Sequence, residues 1–176
     1  MTPTLKEEIR QTRPFHNRET EAFLNIIRTA DALARQVEQL LKPHGLTMTQ
    51  YNALRILRGA EEKHVTCGYV AERLVTSDPD VTRLFDRMER AGLLERARDT
   101  SDRRCVLNRI SRAGIRLLAK LDHEIDALHV RQFASLGPKA LTALVTQLEQ
   151  VREATATSDA TAAAPGATKR TKGASR

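Results

Sequence analysis

Ten arginines and no lysine occur between Arg83 and Arg116, although seven lysines occur elsewhere in the chain. A face selected only for solubility would mix the two cations. Arginine's planar fork matches phosphate oxygens and the O6/N7 edge of guanine bidentately, and it enters narrow minor grooves at low desolvation cost. Such a skew points to nucleic acid. Arg83, Arg87 and Arg90 recur at helical spacing beside Asp80, Thr82 and Asp86, whereas Arg98, Arg103 and Arg104 surround Asp102 near a turn-like run, Asp99-Thr100-Ser101-Asp102-Arg103. A carboxylate there would hold a guanidinium in shape for insertion into a groove. The candidate DNA contacts are Ser77, Asp80, Thr82, Arg83, Arg87, Arg98, Asp102, Arg103 and Arg104. Seven acids leave the Ser77–Arg112 stretch at only +2, so affinity must come from placed arginines rather than bulk charge. Asp78 and Asp80 suit helix capping and the helix dipole, and Asp80 has the alternative of accepting from a cytosine amino group.

The elements that must position these side chains follow from periodicity. Thr66 reads as the N-cap of a short helix with Val70, Ala71 and Leu74 on its buried face. Thr76-Ser77-Asp78-Pro79 then predicts a second helix starting near Pro79, with Val81, Leu84, Phe85 and Met88 facing the core and Gly92 closing its C-terminus. Leu93–Arg98 and Arg104–Ile110 read as two strands of a hairpin, and Ser111 as the cap of the next helix. Upstream, Phe23, Ile27, Ala30, Leu33 or Ala34, Val37 and Leu40 or Leu41 mark a long amphipathic helix over residues 17–42, stopped by Pro43 and Gly45. Thr47-Met48-Thr49-Gln50 is a capping box for a helix carrying Tyr51, Leu54 and Leu57. Downstream, Ile115, Leu118, Leu121, Ile125 and Leu128 form one stripe, and Leu141, Leu144, Leu148 and Val151 another, after Pro138 at a helix start.

The expected fold is therefore mainly α with a small β-hairpin wing. A winged helix-turn-helix over residues 46–111 is flanked by helices at 17–45 and 112–154. Those flanking helices carry more apolar surface than so small a domain can cover, which predicts a two-fold dimer built from them. Residues 1–16 are expected to form a loose arm. Residues 155–176, composed of Ala, Thr, Gly and Ser with a basic end, are expected to be disordered.

Composition narrows the function classes. The chain has 176 residues, a net charge of +7 and a pI near 9.9, which favours polyanionic partners. No apolar run approaches the ~20 residues of a membrane span, and the first 20 residues lack a signal-peptide core, so no membrane association and a cytoplasmic location are expected. Cys67 and Cys105 match no zinc spacing, and His123, Glu124 and His129 do not share a helix face in ligand spacing. No cofactor or metal is expected. Phosphate loops, nucleophile elbows and HExxH are absent from the sequence, which argues against an enzyme. A helical adaptor that has lost DNA binding is the other class. It predicts no salt-dependent DNA affinity and no effect of Arg83→Ala.

The run Leu46–Gly114, with LTMTQYNALRIL, VAERL, PDVTRLFDRMERAGLLER and DRRCVLNRISRAG, resembles the multiple antibiotic resistance regulator (MarR) family of bacterial winged-helix transcription factors, and the likeness extends over about residues 17–153. The resemblance implies a homodimer, most often a repressor, with two recognition helices in successive major grooves of a pseudo-palindromic operator and wings in the adjacent minor grooves. Thr82, Arg83 and Arg87 match recognition-helix positions, and Asp102 and Arg104 match the wing pair. It further implies release from double-stranded DNA by a small aromatic or phenolic effector, or by cysteine oxidation. The residues choose weakly between these. The chain has no Trp, two Tyr and four Phe, so Tyr51, His44 and Arg55 would line a modest pocket at most, and Tyr51 also suits the core. Cys67 sits where a helix dipole can lower a thiol pKa but equally fits as a small structural residue, Cys105 falls in a strand, and no cysteine precedes Cys67.

Overall fold

Asn17 opens the first long helix because its side-chain oxygen accepts the Thr20 amide at 2.8 Å. The computed structural model describes residues 3–60, 64–76, 80–99 and 105–162, the last five as backbone alone. Helix α1 (Leu5–Glu8) is a single turn closed by a Thr4/Glu7 capping box, with Leu5 buried. The expected loose arm is thus locally ordered, because Thr and Glu three residues apart satisfy each other's amides. Helix α2 (Arg18–Leu41) runs into a 3₁₀ turn, Lys42–His44, and Gly45 at φ 68° turns the chain where an L side chain would be strained. Thr47 and Gln50 form the expected capping box of α3 (Met48–Gly59).

Next come β1 (Val65–Thr66), α4 (Cys67–Ala71), α5 (Val81–Arg90), β2 (Leu94–Arg98), β3 (Val106–Ile110), α6 (Arg112–Gln132) and α7 (Pro138–Ala162). The strands form one antiparallel sheet in the order β1-β3-β2, pairing Leu94 with Ile110 and Val65 with Asn108. The hairpin expected from sequence is present, and a third strand joins it. Two residues are too few to show a period, and β1 exists because Asn108, fully buried, donates from Nδ2 to the Val65 carbonyl at 3.1 Å.

Contacts divide the chain into two units, residues 1–130 and 131–176. The core of the first is Leu41, Leu54, Leu57, Val70, Leu84, Phe85, Met88, Leu118, Leu121 and Ile125, each at most 1% exposed. The α6 stripe predicted from sequence enters this core except at Ile115, which is 40% exposed. On α2 the stripe divides: Val37 and Leu41 are buried, whereas Phe23, Ile26 and Ile27 are exposed. In the second unit, α7 begins with Pro138 at its first position and presents exposed Val145 and Val151. It continues through Ala162, so the disorder expected from Thr155 gives way to helix over its first residues. Alanine is the best helix former, and extending an existing helix avoids the nucleation cost. Residues 163–176 lie outside the described residues.

Candidate nucleic-acid interface

Helix α5 is built as three stripes. Val81, Leu84, Phe85 and Met88 form the buried one, as the spacing predicted. Arg83, Arg87 and Arg90 lie nearly opposite and are exposed. Thr82, Asp86 and Glu89 form a third stripe, turned roughly 100° from the core at the helical period. The helix starts at Val81 rather than near Pro79, because Asp80 is the N-cap: its Oδ1 accepts the Arg83 amide at 3.1 Å. The same carboxylate meets Arg83 Nε at 3.0 Å, so Asp80 also orients the first arginine of the exposed stripe. Arg83 remains 81% exposed.

Beside the shared apolar core, Arg96 on β2 ties α5 to the hairpin. Its Nη1 donates to Asp86 Oδ1 at 2.7 Å, its Nε lies 3.5 Å from Glu89 Oε2, and its Nη2 donates to the Thr82 carbonyl at 3.4 Å. Only 19% of the Arg96 side chain is exposed. In the sequence Arg96 is only one of the ten arginines counted between Arg83 and Arg116, with no role of its own, and Asp86 falls on the polar face of the helix with no partner named. The carboxylates at 86 and 89, one step round the helix from the arginines, were the signal that a partner cation was needed.

The surroundings of α5 are fixed by further polar contacts. Thr66 Oγ1 caps α4 as expected, accepting the Tyr69 amide at 3.2 Å. Val70 is fully buried and Leu74 packs partly on the core, but Ala71 is exposed, since a five-residue helix turns too little surface inward to bury all three. The Val75 amide donates to Asn52 Oδ1 at 2.9 Å, tying the segment before α5 to α3. At the other end, Gly92 takes φ 68°, and Ser111 bridges hairpin to α6: its hydroxyl donates to the Gly92 carbonyl at 2.6 Å and accepts the Gly114 amide at 3.0 Å. A methyl at Gly114 would collide with the Leu93 carbonyl and lie 2.8 Å from Ile110 Cγ1. Glycine there lets α6 start directly against the base of the hairpin.

Of the sequence-predicted contacts, Asp80, Thr82, Arg83 and Arg87 come together on α5, and Arg98 is exposed at the end of β2, paired in register with Val106. Ser77, Asp102, Arg103 and Arg104 lie outside the described residues. Cys67 and Cys105 line one groove with Thr66, Gly68, Thr82, Arg96 and Val106. Cys67 also packs on the core and accepts from Asn108 Nδ2 at 3.6 Å. Among the described residues no three of His, Cys, Asp and Glu stand together as a metal site. Tyr51, considered for an effector pocket, is buried in the core, with the Arg55 guanidinium 5.9 Å from its ring centroid. No helix among the described residues is long and apolar enough to cross a membrane.

A short helix followed by a second one that exposes an arginine stripe, beside a three-stranded antiparallel sheet, is the architecture of a winged-helix DNA-binding protein. Comparison with known proteins gives the same class. A family model described as MarR family matches residues 44–104. The crystal structure of a MarR transcription factor from Planctomyces limnophilus is 33% identical, covering 78% of this chain and 99% of that one, at a TM-score of 0.61. The uncharacterized HTH-type transcriptional regulator YkoM of Bacillus subtilis is 28% identical over 143 residues, 77% of this chain and 90% of that protein. RdhR-CbdbA1625, an organohalide-sensing regulator solved with 2,4-dichlorophenol bound, shares the fold at a TM-score of 0.74 and 20% identity, covering 82% of this chain and 88% of that one. The chain belongs to the MarR family of transcriptional regulators.

Proposed function

We propose that the protein acts as a homodimeric, sequence-specific repressor in the cytoplasm, binding a pseudo-palindromic site in double-stranded DNA and leaving it when a small aromatic or phenolic effector binds. The observation that carries this reading is the exposed Arg83/Arg87/Arg90 stripe, set nearly opposite the buried stripe of α5 and begun by an aspartate cap that orients Arg83. In this reading Thr82, Arg83 and Arg87 enter the major groove. Ser77 meets the backbone near the helix start, Asp80 caps α5 and aims Arg83, and Arg98, Asp102, Arg103 and Arg104 serve the wing. Dimerisation is supported by large apolar residues left uncovered in the single chain, Phe23 at 61% and Ile27 at 54% on α2 and Val151 at 51% on α7. The effector class is supported by the dichlorophenol-bound regulator of the same fold.

Selection from a random duplex library tests the reading. An enriched site of roughly 16–20 base pairs, with two inverted half-sites about one helical turn apart, is expected. Recovery of no enriched sequence, with binding that does not weaken as salt rises, would overturn it.

A further inference from the structure

We infer that Arg96 is a positioning residue for the proposed DNA interface: it locks the rotation of α5 against β2 and neutralises the acids flanking the arginine stripe, without itself touching DNA. The inference rests on the DNA-binding reading and deepens it. Three groups of α5, the Thr82 carbonyl, Asp86 and Glu89, converge on one guanidinium. They span two helical turns on the face beside the arginines, so the single side chain from β2 resists rotation of α5 about its axis. A rotation of about 20° would move an atom at the helix surface by about 2 Å, enough to lose a hydrogen bond. The buried stripe sets how deeply α5 sits, and the clamp sets where its arginines point. Charge works in the same direction. With Arg96 in place Asp86 has a partner at 2.7 Å, and without it Asp86 and Glu89 would stand beside Arg83, Arg87 and Arg90 as unneutralised anions near a phosphate backbone. At 19% exposure, beneath the α5 face, the Arg96 guanidinium is spent on the protein.

The experiment uses the full chain, the duplex that it enriches from a random library, and a scrambled duplex of equal length. Binding-competent protein is first counted by stoichiometric titration. Arg96→Met should weaken binding to the scrambled duplex only a few-fold, through the two anions it leaves unneutralised, while affinity for the enriched duplex falls by a further factor of about ten or more. Arg96→Lys should also lower the ratio of the two affinities, since an ammonium lacks the fork that joins these partners, and it carries the test if the methionine variant does not fold. The double variant Arg96→Met with Asp86→Leu should recover part of the affinity for the enriched duplex relative to Arg96→Met, because it removes the Asp86 carboxylate left without its partner and puts an apolar pair between α5 and β2. Equal losses on both duplexes with a salt slope shallower by about one would make Arg96 a phosphate contact and overturn the inference. An unchanged affinity ratio in the folded variants would overturn it too, as a purely structural role predicts. If the wild-type chain enriches no duplex, the DNA-binding reading itself fails.

Discussion

Arg83 and Arg96 are both arginines within fourteen positions, yet one is 81% exposed and the other 19%. Their substitutions should separate accordingly. Arg83→Ala should weaken binding to the selected duplex by ~1–3 kcal/mol and make the salt slope shallower by about one if it meets a phosphate, read by fluorescence anisotropy across salt concentrations. Arg104→Ala should cost a similar ~1–3 kcal/mol as a groove contact, and unchanged titrations would remove the wing from the account. Asp80→Ala acts differently: losing the cap should cost on the order of 1 kcal/mol of stability in thermal or chemical melting, besides freeing the Arg83 side chain. The exposed arginines were legible in the sequence because skewed composition and helical spacing are local properties. Arg96 was not, because its role depends on β2 lying beside the acidic stripe of α5. No spacing along the chain records that approach.

Between elements, Arg58 on α3 forms a bidentate pair with Asp122 on α6, at 2.7 and 2.9 Å. The Arg58 guanidinium holds the Asp122 carboxyl below the usual carboxylate range, with partial burial opposing it. Since the folded-state value lies below that of the unfolded chain, the pair's contribution to stability is fully present above about pH 4 and is lost as pH falls through the folded value. Both side chains are more than a third exposed or close to it, which limits the contribution to about 1 kcal/mol or less. Asp122→Asn should therefore lower the melting temperature near neutral pH, and the difference from wild type should shrink in acid. Gly114→Ala offers a sharper test of packing: the new methyl meets backbone, so a loss of ~1–3 kcal/mol is expected although alanine is the better helix former. The element boundaries that sequence located well, at Thr47, Gly45, Gly92, Ser111 and Pro138, are caps or breakers whose chemistry acts within a few residues. Strand β1 and its buried staple Asn108 were missed because two residues become a strand only when β3 is there to pair with them.

At the scale of the whole molecule, the amphipathic stripes were legible, but which part of each would be covered was not. Periodicity treats Phe23 and Val37 alike, whereas one is 61% exposed and the other 7%. That division is what a second copy of the chain would explain. The pair Phe23→Asp and Ile27→Asp should shift the protein toward monomer in sedimentation experiments while leaving the core residues, and hence the circular dichroism, unchanged. Composition also misjudged residues 155–162, where alanine content favoured continued helix over disorder once α7 had been nucleated. The most direct measurement of the central claim is a sedimentation titration of the full chain on the selected duplex at several salt concentrations. Two chains per duplex are predicted, with affinity falling steeply as salt rises and weakened by Arg83→Ala. A single chain per duplex, or affinity indifferent to both salt and Arg83→Ala, would contradict it.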